Sequence, residues 1–139
     1  MHLFTETYIK MMRDSPIQDE WIPTRGHYYY SPFEAETLFC IEYDYPYRGE
    51  GDFWLPLDYD WWGRIEEEWI LGIEFLFTKA RLCGHWGYEL EVVKYYPNKT
   101  EAEHVKIFSA DSILELLALY VHKEKWGLIW DEEKGWVDN

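Results

Sequence analysis

Rings occupy one position in five of this chain: nine Trp, twelve Tyr and seven Phe among 139 residues. Each ring hides on the order of 150–250 Å² when it packs, so this much flat apolar mass must be buried or offered to a partner. A disordered polymer is thereby excluded, although 27 Asp and Glu against 13 Lys and Arg leave a formal charge of −14. The length suits one domain over 1–139 with one core. A pI near 4.6 gives a net field that repels phosphates and anionic headgroups, which disfavours direct binding of nucleic acid or a membrane surface.

The apolar run from Trp69 to Phe77 is broken by Gly72 and Glu74 and falls short of the roughly 20 residues of a membrane span. Residues 1–6, Met-His-Leu-Phe-Thr-Glu, carry neither a basic leader nor an apolar signal core, so a cytoplasmic protein is expected. Two cysteines, Cys40 and Cys83, are read as free thiols, since a chain with this much core has no need of a staple.

Hydrophobic spacing and turn residues divide the chain into elements. Thr5 as an N-cap and the stop Asp14-Ser15-Pro16 bracket a short helix. Gly26 closes a turn into a strand over Tyr28-Tyr29-Tyr30, and 37–43 is a second strand rich in aromatic and β-branched residues. Residues 44–52, with one proline and two glycines, read as an exposed loop, and 53–57 as a brief edge strand ended by Pro56. Asp58 or Asp60 then caps a helix on which Trp61, Trp62, Ile65 and Trp69 share a face. Residues 69–83 fit two periods, helix and strand. Gly84 and Gly87 bracket His85-Trp86 as a turn, followed by a strand over 88–95 and its antiparallel return over 103–108. The Ser112 region caps a helix over 113–121 ended at Gly127, and a C-terminal hairpin follows. The expected fold is α+β: an antiparallel sheet of about four or five strands with two or three helices packed on one face, 113–121 chief among them.

The order of these signals resembles a family of small phage- and prophage-encoded proteins of Gram-positive bacteria. The residues that carry the resemblance are the N-terminal helix leading into Ile17-Gln18-Asp19-Glu20-Trp21-Ile22-Pro23, Gly26 with the three tyrosines after it, Trp54-Leu55-Pro56 opening a helix, and the 113–121 helix followed by Trp126-Gly127-Leu128-Ile129-Trp130-Asp131. The resemblance implies an accessory protein and assigns no catalytic residue.

Catalytic motifs are missing. No glycine-rich phosphate loop follows a strand and no serine elbow occurs, so neither a cofactor nor a catalytic residue is expected. Cys83-Gly84-His85 places a thiol near an imidazole, but a zinc site needs about four such ligands and the remaining Cys40, His2, His27, His104 and His122 show no paired spacing. Cys83 therefore reads as a buried free thiol beside a turn histidine, with a nucleophilic Cys–His pair as the alternative. Charge density is more informative. Between 34 and 60 there are eight acids and one base, Arg48, a local charge of −7 and half the total, interleaved with rings. Glu42, Asp44, Tyr45, Tyr47, Asp52, Trp54, Asp58 and Asp60 are thus the expected binding surface: rings anchor in a partner and carboxylates steer a basic one toward it. A basic nucleic-acid-binding protein is such a partner, the carboxylates imitating phosphates. The alternative is a small hydrolase using clustered carboxylates, alone or through a metal.

Overall fold

Thr5 opens the first helix as expected, its hydroxyl accepting from the Tyr8 N–H at 3.0 Å. The computed structural model describes residues 3–24, 26–32, 36–38, 51–65 and 72–139. Helix α1 (Glu6–Arg13) buries Tyr8, Met11 and Met12 along one side. Ser15 then caps a single 3₁₀ turn, Pro16–Glu20. The turn buries Gln18, whose amide N–H groups donate to the carbonyls of Met12 and Trp54 while its Oε1 accepts from the Trp54 N–H. A side chain here does the work of a neighbouring strand, satisfying backbone groups that burial would otherwise strand.

The fold is α+β. Strands β1 (Tyr28–Ser31), β2 (Glu36–Leu38) and β3 (Phe53–Leu55) form an antiparallel sheet in the order β2-β1-β3, with Tyr29 opposite Leu38 and Trp54. Helix α2 (Asp58–Trp62) follows directly. Strands β4 (Gly72–Leu82), β5 (His85–Tyr95) and β6 (Glu103–Ala110) make a second antiparallel sheet in chain order. Helix α3 (Ile113–Val121), capped by Ser112, runs into a π-helical turn, His122–Trp126, stopped by Gly127 in the left-handed region at φ 65°. Strands β7 (Leu128–Asp131) and β8 (Gly135–Asp138) close the chain as a hairpin, its turn held by Asp131 Oδ1 accepting from the N–H groups of Glu133 and Lys134.

The strands expected to share a sheet are divided among the described residues between the β1 and β5 sheets. Helix α3 packs on β5 and β6, and α1 lies against β3. One cluster joins them: Tyr8, Met11, Met12 and Ile17 from the N-terminus, Phe53 to Leu55, Trp61, Leu90, Val92, and Leu116 to Ala118 of α3. No helix among the described residues is long and apolar enough to cross a membrane.

Two local expectations are corrected. Residues 85–86 belong to β5, and the turn is Cys83-Gly84, both at positive φ (42° and 92°). The two glycines bracket a strand start because a two-residue hairpin needs positive φ at its two central positions, which Gly84 meets readily. The aromatic face expected from Trp61 onward also does not form over its described part, 61–65: α2 ends at Trp62, and Trp61 is fully buried while Trp62 is 41% exposed. Adjacent helical positions point about 100° apart, so neighbouring tryptophans cannot both face inward. Trp69 and residues 39–50 lie outside the described residues. The ambiguous stretch 72–82 is strand, with Ile73, Phe75 and Phe77 turned toward the core and Leu76 nearly half exposed. Period two prevailed because β5 supplies a full-length partner.

Candidate functional site

Of the eight residues expected at a binding surface, Glu42, Asp44, Tyr45 and Tyr47 lie outside the described residues. Asp52 is partly covered and Asp58 exposed. Asp60 caps α2, its Oδ2 accepting from the Leu57 N–H at 2.9 Å, while Asp58 Oδ1 accepts from Tyr59 N–H. Asp58 or Asp60 was expected to be the cap; the N-cap is Leu57, and Asp60 three residues on reaches back to its N–H. Trp54 is corrected. At 2% exposure its ring belongs to the core, stacked on His27 at 4.8 Å, and cannot anchor a partner. Register and cover explain this: Trp54 pairs with Tyr29 of the central strand β1, and the Gln18 side chain covers the other edge of its backbone. Near it the exposed rings are instead Tyr59 and Trp62 on α2, at 57% and 41%, while Trp86 and Tyr95 are exposed on the β5 sheet. Trp62 packs edge-on against Phe75 at 4.5 Å, so one part of it is fixed while the rest faces out.

The sheet, α1, α3 and the C-terminal hairpin meet around a second feature. A cavity of about 200 Å³ is lined by Cys83, His85, Asp111, Glu115, Trp130 and Glu132, with Thr7, Met11 and Leu119 among its apolar and small side chains. His85 Nε2 and Asp111 Oδ1 are 2.7 Å apart. Glu115 is only 4% exposed and its Oε2 accepts from the hydroxyls of Thr5 (2.8 Å) and Ser112 (2.9 Å). Burial pushes its carboxyl above the ordinary range; these hydroxyls pull the other way, and the charges of Asp111 and Glu132 push further upward. Cys83 is exposed, which corrects the expected buried thiol: it stands in the turn itself rather than beside it. Cys40 is outside the described residues.

The sequence reading singled out Cys83 and His85 but not the acids that join them. Asp111, Glu115 and Glu132 are dispersed along the chain, and a β6–α3 connection together with the terminal hairpin brings them together. Ser112 as an N-cap with an acid three residues on was the available signal, because that spacing turns the Glu115 side chain back toward the helix start. Among the described residues no three His, Cys, Asp or Glu side chains form a set that could hold a metal ion. No protein-family model, curated protein or solved structure matches this chain.

Proposed function

We propose that this chain is a non-enzymatic, cytoplasmic accessory protein of phage or prophage type that binds a basic protein partner through the acidic, aromatic-rich segment 34–60 and the helix α2 in which it ends. The observation that carries the reading is on α2: Tyr59 and Trp62 stand out from the surface of a chain that buries Trp54 and Trp61, with Asp58 exposed beside them. Large rings left half in solvent next to carboxylates are the composition of an interface centre with a charged rim. The net charge of −14 steers a cationic partner toward them. A nucleic-acid-binding protein suits such a surface, because carboxylates then occupy the place of phosphates.

Affinity capture with the full chain at low and high salt tests this. A partner retained at low salt, released at high salt, displaced by added duplex DNA, and lost with Tyr59→Ala/Trp62→Ala is the expected result. Capture unaffected by that double variant, or no partner at either salt, overturns the reading. Asp58→Asn should weaken capture without altering the fold, as Asp58 is exposed and its bond to the Tyr59 N–H is local.

A further inference from the structure

Side chains of β4 alternate between two faces, and its core-facing row does not stay in the core. Ile73, Phe75 and Phe77 pack against the buried cluster, while Lys79 and Arg81 carry the same row on into solvent. Helix α3 lies on β5 and β6 and reaches β4 through the Tyr120 ring against Phe75 at 5.2 Å, so Phe75 and Phe77 remain partly open. Opposite Arg81 in the register stands Trp86, 58% exposed, with Lys79 Nζ and the Arg81 guanidinium each 5.5 Å from its ring centre. Residues 75–88 contain no Asp or Glu, and neither cation joins an ion pair among the described residues. A ring attracts cations without neutralising them, so both stay available to a carboxylate from outside the molecule.

The other end of the row has the reverse chemistry. Trp62 meets Phe75 edge-on at 4.5 Å, and Phe75 stacks on Phe77 at 6.5 Å. Asp58 and Tyr59, both exposed, precede Trp62 by four and three residues, which sets them beside it on α2. A stripe of rings thus runs from an acidic end at α2 to a basic end at Trp86, and its stretch from Phe75 to Arg81 is about 20 Å of strand. Turned end for end, a stripe with opposite charges at its two ends is complementary to itself, which is what a two-fold interface requires.

We propose that two copies of this chain form a closed, antiparallel dimer on this stripe, the Lys79 and Arg81 of each copy set against Asp58 of the other and Trp86 packed against its Tyr59 and Trp62. The charge of −14 on each copy opposes pairing at long range. At 0.15 M salt the Debye length is about 8 Å, so that repulsion is largely screened while the contacts at the two ends lie inside that range. The dimer covers α2 and so competes with a basic partner, but it does not depend on one.

Sedimentation equilibrium of the full chain at about 0.01–1 mM in 0.15 M salt tests this. The expected result is a monomer–dimer equilibrium with a dissociation constant on the order of 0.1 mM, as suits a small interface, and no larger species, because a two-fold contact closes. Lys79→Glu/Arg81→Glu and Asp58→Lys, all at exposed positions, should each weaken the dimer about tenfold or more. An equimolar mixture of these two variants should dimerise about as tightly as the parent, since every end contact again joins opposite charges, and that recovery also shows both chains to be folded. Lys10→Glu/Lys134→Glu, the same change in net charge at exposed positions on α1 and in the β7–β8 turn, should leave the constant within about twofold. A parent that stays monomeric, open-ended assemblies, a tip variant that dimerises like the parent, a mixture no tighter than its components, or a control pair as damaging as the tip pair overturns the proposal. The Lys79→Glu/Arg81→Glu chain keeps α2 intact and should still capture a basic partner, so the two readings fail separately.

Discussion

Ser15 Oγ lies 2.6 Å from His122 Nε2, a buried bond between residues 107 positions apart. The imidazole Nδ1 is 2.6 Å from the Ala118 carbonyl, so Nδ1 carries the proton and donates there, and Nε2 accepts from the Ser15 hydroxyl. Ser15 Oγ in turn accepts from the Ile17 N–H at 3.0 Å. The ring stacks on Trp136 at 3.8 Å with an interplanar angle of 1°, and the Trp136 indole N–H donates to the Met11 carbonyl. One imidazole thus ties the loop after α1, the end of α3 and the C-terminal hairpin together.

Ser15→Ala removes the donor to Nε2 and the cap on Ile17 together. An orphaned buried acceptor costs about 1–3 kcal/mol, and the urea midpoint should fall accordingly. Ser15→Thr, which keeps the hydroxyl, should recover a large part of the loss.

The same ring sets an acid dependence. Burial drives the His122 pKa down to about 4, with the Ala118 bond only partly opposing it. Above the ordinary histidine value of about 6.5 neither folded nor unfolded chain holds the extra proton. As pH falls toward 4 the unfolded chain takes it up and the folded one does not, so stability is lost across that window and levels off below it. The contribution reaches roughly 3 kcal/mol. Denaturation of the parent and of His122→Gln at pH 7, 6, 5 and 4 should show the gap between them narrowing as pH falls. A constant gap would contradict the assigned shift.

Leu117 sits on α3 at 0% exposure within the core cluster. Leu117→Ala should lower unfolding stability by about 2–5 kcal/mol, from lost transfer energy and the cavity left behind. A loss under about 0.5 kcal/mol would mean that the helix does not pack as described.

Cys83 holds φ at 42° in the β4–β5 turn, a conformation that favours Asn or Gly over other side chains. Cys83→Asn should raise stability by about 0.5–1 kcal/mol, part of the roughly 1–3 kcal/mol that a left-handed non-glycine residue costs. Cys83→Val, branched at Cβ, should lower it, and thermal melts of the two variants give opposite signs if the turn is as described.

How much was legible from residues alone follows from the range of the signals. Thr5, Ser112 and Gly127 announced the ends of α1 and α3 because capping is settled within a turn of backbone. The hairpins of β5–β6 and β7–β8 could be read because alternation and turn chemistry are also local. Trp54 and Trp62 could not be placed this way: both sit in ring-rich surroundings, and only the β1–β3 register buries the first while the short α2 leaves the second out. The acids of the cavity went unnoticed for the same reason, since nothing in the spacing of Asp111, Glu115 and Glu132 relates them to the turn at Cys83.

The chain by itself determined that aromatic mass would build an α+β core under an acidic exterior, along with the caps and turns that punctuate it, because composition and near-neighbour geometry carry that information. Only the tertiary structure decided which rings remain outside, that the Cys83 thiol is exposed and which carboxylates share a recess. Those outcomes depend on strand register and on the docking of α3 and the terminal hairpin, contacts between residues too far apart in sequence for any local period to encode.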